Sequence, residues 1–108
     1  MHRDHHIFLQ GIHAREKVVL TFIKADGQRA VRMCAALDFG VSRRAKDGLD
    51  RYHLWNYESE GKNHVLSLTP DQVVRIEATE DGFDPAEFIT WDTKRSPWFI
   101  PRNWGIYS

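Results

Sequence analysis

A chain of 108 residues and 12.6 kDa has room for one domain with a single modest core. With 42% hydrophobic and 28% charged residues it lies in the range of soluble globular proteins, and 15 basic against 15 acidic residues leave no net field to draw nucleic acid or a membrane surface. The one cysteine, Cys34, excludes an internal disulfide and suits a reducing cytoplasm, while no apolar run approaches the length of a membrane span or the core of a signal peptide.

Neutrality conceals an asymmetry. Residues 1–55 carry ten Lys or Arg against six Asp or Glu, a balance of +4, and residues 56–108 carry five against nine, a balance of −4. Such polarity either steers a partner or reflects opposite charges facing one another across a small fold.

In chain order, Asp4 stands where an N-cap would begin a short helix, with Phe8, Leu9 and Ile12 on one stripe and Arg15 and Lys17 near its end. Gly11 weakens that helix and limits it to two or three turns. Val18 to Lys24 alternates as a strand, Asp26-Gly27 is a hairpin turn that needs the positive φ glycine accepts, and Gln28 to Met33 returns as a second strand. Cys34 to Val41 is apolar enough to cross the core, with Gly40 marking a bend or a close backbone approach.

Arg43-Arg44-Ala45-Lys46-Asp47-Gly48 is the most basic loop. Tyr52 to Tyr57 alternates again, Glu60-Gly61-Lys62-Asn63 supplies a turn, Val65 to Leu68 is extended, Thr69-Pro70-Asp71 interrupts it, and Val73 to Thr79 is β-branched enough for a further strand. Short strands and tight turns after one helix predict a mainly β fold whose sheet hides its edges by closing into a small antiparallel barrel over residues 1–90, with Leu20, Phe22, Leu54, Leu68 and Ile76 in the core.

From Phe8 to Pro85 this order resembles the WYL domain, an SH3- or Sm-like barrel family. The resemblance is carried by the lead-in helix with basic residues at its end, Val18-Val19-Leu20-Thr21-Phe22, the Asp26-Gly27 hairpin, Tyr52-His53-Leu54-Trp55-Asn56-Tyr57, and Val73-Val74-Arg75-Ile76-Glu77-Ala78 closed by Phe83-Asp84-Pro85. The name triplet is not intact around Arg51 to Trp55, Gln72 stands where members carry an Arg before the last strand, and the family's helix-turn-helix is not among these residues. The resemblance implies a regulatory module that senses a nucleotide or nucleic-acid ligand in bacterial transcription.

Residues 91–108 read as an extended aromatic arm. Trp91, Trp98, Phe99, Trp104 and Tyr107 are interleaved with Lys94, Arg95 and Arg102 and stiffened by Pro97 and Pro101. Three roles are open to it: wrapping the barrel, exchange between two copies in a homodimer, or stacking on bases.

The candidate ligand contacts are Arg43, Arg44, Lys46 and Arg51 with Arg75, and the candidate interaction arm is Trp91, Trp98, Trp104 and Tyr107. His2, Asp4, His5, His6 and His13 have metal-ligating chemistry but no metal-site spacing, and read as a solvated tail. Cys34 lies in an apolar setting where a thiol is inert, and His53 and His64 read as a cross-strand pair, so no catalytic residue and no cofactor are assigned.

Overall fold

The computed structural model describes residues 1–61 and 63–108, so Lys62 in the expected turn of residues 60–63 lies outside the described residues. Helix α1 (His5–Ala14) leads into β1 (Glu16–Ile23), followed by β2 (Arg29–Val41), β3 (Asp50–Asn56), β4 (Val65–Leu68) and β5 (Val73–Gly82), with single 3-10 turns at Pro70–Gln72, Pro85–Glu87 and Gly105–Tyr107. The strands form one antiparallel sheet in the order β4-β3-β2-β1-β5. Among the described residues no ladder joins β4 to β5, so the sheet is open where closure was expected. No helix is long and apolar enough to cross a membrane.

The alternation places its residues as expected. Val18, Leu20 and Phe22 share a face with Cys34, Ala36, Tyr52, Leu54 and Ile76 through the registers Val18↔Cys34, Ala36↔Leu54 and Leu20↔Ile76, and all eight are buried. Phe8 and Ile12 of α1, both fully buried, close over that face. Gly11 allows the approach, because a Cβ there would lie 3.1 Å from Val18 Cγ1 and 3.2 Å from the Glu16 carbonyl oxygen. The hairpin turn is also as read, with Gly27 at φ +88° and the Asp26 carboxylate accepting the Gln28 amide at 2.9 Å.

Besides closure, two expectations change. The second strand and the core-crossing segment are one 13-residue strand, β2, because a bulge at Leu37 and Asp38 bends it without ending it. The histidine-rich start is packed where a solvated tail was expected. Tyr52 Oη accepts the His2 amide at 3.0 Å and shares a hydrogen bond with His5 Nδ1 2.9 Å away. Asp4 occupies the N-cap position but turns its carboxylate to the Ile76 amide at 3.0 Å, tying the N-terminus to β5. Among the described residues no group of three or more His, Cys, Asp and Glu is arranged to hold a metal.

Between β4 and β5, the Gln72 side chain accepts the Thr69 amide at 3.1 Å and so caps the Pro70–Gln72 turn. Burial pushes the Cys34 thiol up to about 12, which leaves it protonated and inert at neutral pH. Burial likewise pushes the Tyr57 hydroxyl up to about 12, and that oxygen has no hydrogen-bond partner among the described residues, while Lys17 Nζ lies 4.5 Å over the ring.

Truncating the fully buried Leu54 to Ala lowers unfolding free energy by about 2 to 5 kcal/mol in denaturant titration. An unchanged transition midpoint would contradict its place in the core. The His5 ring is held below its ordinary 6.5 first by burial and then by the charges of the amino terminus and His6. The unfolded chain therefore takes up its proton first, and melting temperature falls as pH drops through 6.5 until the folded ring also protonates. His5→Gln flattens this dependence, and superimposable profiles for the two proteins would refute it.

Candidate functional site

The site begins with a mismatch in strand length. β1 pairs with β2 only as far as Val18↔Cys34, while β2 runs on to Val41 paired with β3. The bulge places Asp38 on the face opposite α1, beside Ala35 and Leu37. A lone carboxylate in an apolar strand requires partners, and residues 99–102 supply them. Asp38, 7% exposed, accepts the amides of Phe99 at 2.9 Å and Ile100 at 3.0 Å as well as that of Phe39 at 3.0 Å.

Arg102 completes the arrangement. Its side chain is fully buried, with Nη2 3.4 Å from Asp38 Oδ1, Nη1 donating to the Leu37 carbonyl, and Nε and Nη2 donating to the Ile100 carbonyl at 3.2 and 3.1 Å. The guanidinium carbon lies 3.9 Å from the Trp98 ring centre and 4.5 Å from that of Trp104. Burial lowers the Arg102 pKa to about 10 against the pull of Asp38, so the group is charged at neutral pH.

The expected arm therefore divides into structural and open parts. Trp104 is buried and its Nε1 donates to the Ile12 carbonyl at 2.8 Å, and Trp98 is half-buried with Nε1 donating to the Tyr107 carbonyl at 2.8 Å. Arg102, interleaved with these aromatics in the sequence, is enclosed among them. Trp91 packs edge-on against Trp98 with centroids 5.8 Å apart yet stays 37% exposed. Phe99 is 56% exposed and lies against Gly40, where any Cβ would overlap its ring, so Gly40 is the close approach read from the sequence.

Opposite these rings stands the basic loop. Between them opens a cleft of about 460 Å³, walled by Ser42, Arg43 and Arg44 on one side and by Trp91, Ser96, Pro97, Trp98 and Phe99 on the other, with His53, Val65 and Ser67 of β3 and β4 along it. Arg43 Nη1 donates to Ser96 Oγ at 3.1 Å and links the two walls. Among the described residues neither Arg43 nor Arg44 has an acidic partner.

The remaining candidates lie elsewhere. Lys46 is exposed in the same loop at φ 54° but does not line the cleft. Arg51 forms a two-pronged contact with Asp47, 2.9 Å on each side, which holds that carboxyl down at about 2. Arg75 pairs with Glu77 at 3.2 Å on β5. Neither Arg51 nor Arg75 reaches the cleft.

His53 and His64 do not face each other as expected. His64 stacks on one neighbour, Trp55, at 4.7 Å, and Phe88 stacks on the same indole at 5.2 Å. His53 sits opposite Ser67, with Nδ1 2.8 Å from Ser67 Oγ and Nε2 3.0 Å from the Gly40 carbonyl. In comparisons with known proteins, no family model, no curated protein and no solved structure matches this chain.

Replacing Arg102 by Met strands the Asp38 carboxylate and costs about 3 to 5 kcal/mol. Pairing that change with Asp38→Asn recovers part of the loss, and additive effects in a double-mutant cycle would show that the two side chains are not coupled.

Proposed function

We propose that this chain is a non-catalytic, WYL-like binding module of SH3/Sm-like architecture that takes a nucleotide or single-stranded nucleic acid in the cleft between its basic loop and its arm. The architectural reading is supported by the strand order, by β5 returning to pair with β1, by the 3-10 turn joining β4 to β5, and by the helix that leads into β1. A cytoplasmic, regulatory setting belongs to the same proposal.

The observation that carries the functional reading is the juxtaposition of two guanidinium groups, without acidic partners among the described residues, and two exposed aromatic rings at one cleft of about 460 Å³. Guanidinium groups hold phosphate, a flat ring stacks on a base of any sequence, and a cleft of a few hundred Å³ suits one such unit. A chain with no net charge needs this local concentration, since it has no overall field to recruit a polyanion.

Fluorescence anisotropy with a labelled single-stranded oligonucleotide tests the reading. Affinity falls as salt rises, and replacing Arg43, Arg44 and Lys46 by Ser removes binding or flattens the salt slope by about 0.7 per lost phosphate contact. Trp91→Ala weakens binding by roughly 1 to 3 kcal/mol if the ring stacks on a base. No binding by the wild type at low salt, or equal binding by the triple Ser variant, would overturn the proposal.

A further inference from the structure

We infer that the His53–Ser67 pair makes the cleft selective for a base carrying an exocyclic amino group, so that cytosine is taken in preference to uracil. The inference rests on the nucleic-acid reading of the cleft and adds to it which atom of the ligand is read.

It follows from counting protons. The Gly40 carbonyl 3.0 Å from His53 Nε2 can only accept, so Nε2 carries the ring proton. In the neutral imidazole Nδ1 is then an acceptor, and the Ser67 hydroxyl 2.8 Å away must donate to it. Its one proton is thereby committed, and Ser67, which is exposed on β4 and lines the cleft, presents only lone pairs to a ligand.

A free serine hydroxyl rotates to suit donor or acceptor and discriminates little. This one is fixed as an acceptor by a chain of two hydrogen bonds that ends on backbone. Cytosine offers its amino group where uracil has a carbonyl oxygen, so the first makes a hydrogen bond and the second sets two acceptors against each other. The position of the pair also fits, since His53 and Ser67 run along the cleft that Arg43, Arg44 and Trp91 border. Phosphate held by the arginines and a ring against Trp91 leave the edge of that ring to meet the β3–β4 side.

The test compares two single-stranded oligonucleotides of about eight nucleotides, one all deoxycytidine and one all deoxyuridine, whose backbones and charge are identical so that phosphate contacts cancel. The wild type binds the deoxycytidine strand tighter, by on the order of five- to tenfold for one exposed hydrogen bond gained against one repulsion. Ser67→Ala removes the acceptor and brings the ratio close to one. His53→Phe frees the hydroxyl to rotate and does the same with Ser67 still present. Equal affinities in the wild type, or a ratio that survives in Ser67→Ala, overturn this inference while salt-dependent binding leaves the parent reading standing. Failure to bind either strand at low salt overturns both.

Discussion

The buried pair of Asp38 and Arg102 determines where everything after β5 can go. Two charges out of water cost several kcal/mol each, and their mutual attraction alone seldom repays that. Here the cost is offset because neither group is left short. The carboxylate takes three backbone amides besides the guanidinium, and the guanidinium takes two backbone carbonyls and lies against two indoles. The β2 bulge makes this possible by placing the Leu37 carbonyl and the Asp38 side chain together on a stretch of strand that β1 does not reach. One acidic residue in an apolar strand thus fixes the path of a segment some sixty residues later in the chain.

That path decides which aromatic residues are structural and which are free. Trp104 gives its indole N–H to α1 and its ring to Arg102 and Phe83, and Trp98 spends its N–H on the arm's own final turn and its ring on the same guanidinium. Among the described residues Trp91 makes neither kind of contact, and Phe99, whose backbone amide goes to Asp38, lays its ring over Gly40. The ion pairs sort the cations in the same manner. Arg51 binds Asp47 within the basic half, Arg75 binds Glu77 within the acidic half, and Asp38 with Arg102 crosses between halves with the acid on the basic side. The +4 and −4 of the two halves are therefore not neutralised against each other by these pairs, and part of the excess positive charge stands at Arg43 and Arg44 beside the cleft.

Local signals carried most of the sheet. Alternation located β1 and β3 with their buried residues, β-branched content located β5, Asp26-Gly27 marked the first hairpin, and Gly40 in an otherwise apolar strand marked a bend or a close approach. What stayed hidden depends on register and on distant partners. Asp38 inside Ala35-Ala36-Leu37-Asp38-Phe39 is the residue that could have betrayed the bulge, since a lone acid in such a run must be paired, but nothing nearby names Arg102 as the partner. The basic loop and the arm were each legible as candidates from composition. Their convergence on one cleft was not, because it follows from the bulge. Histidine clustering at the N-terminus was misleading for the same reason, since the partners of His5 and Asp4 lie on β3 and β5.

His53 and Ser67 show the same limit on a smaller scale. Each is ordinary in its own strand, and only the β3–β4 register sets them opposite one another. Only the β2–β3 pairing then places the Gly40 carbonyl against the far side of the ring. The close fit of Phe99 on Gly40 connects this polar pair to the arm, because the glycine that orients the imidazole through its oxygen also admits the aromatic ring through its missing side chain. Gly40, two positions beyond the carboxylate that anchors the arm, thus touches both the polar pair and one ring of the aromatic wall.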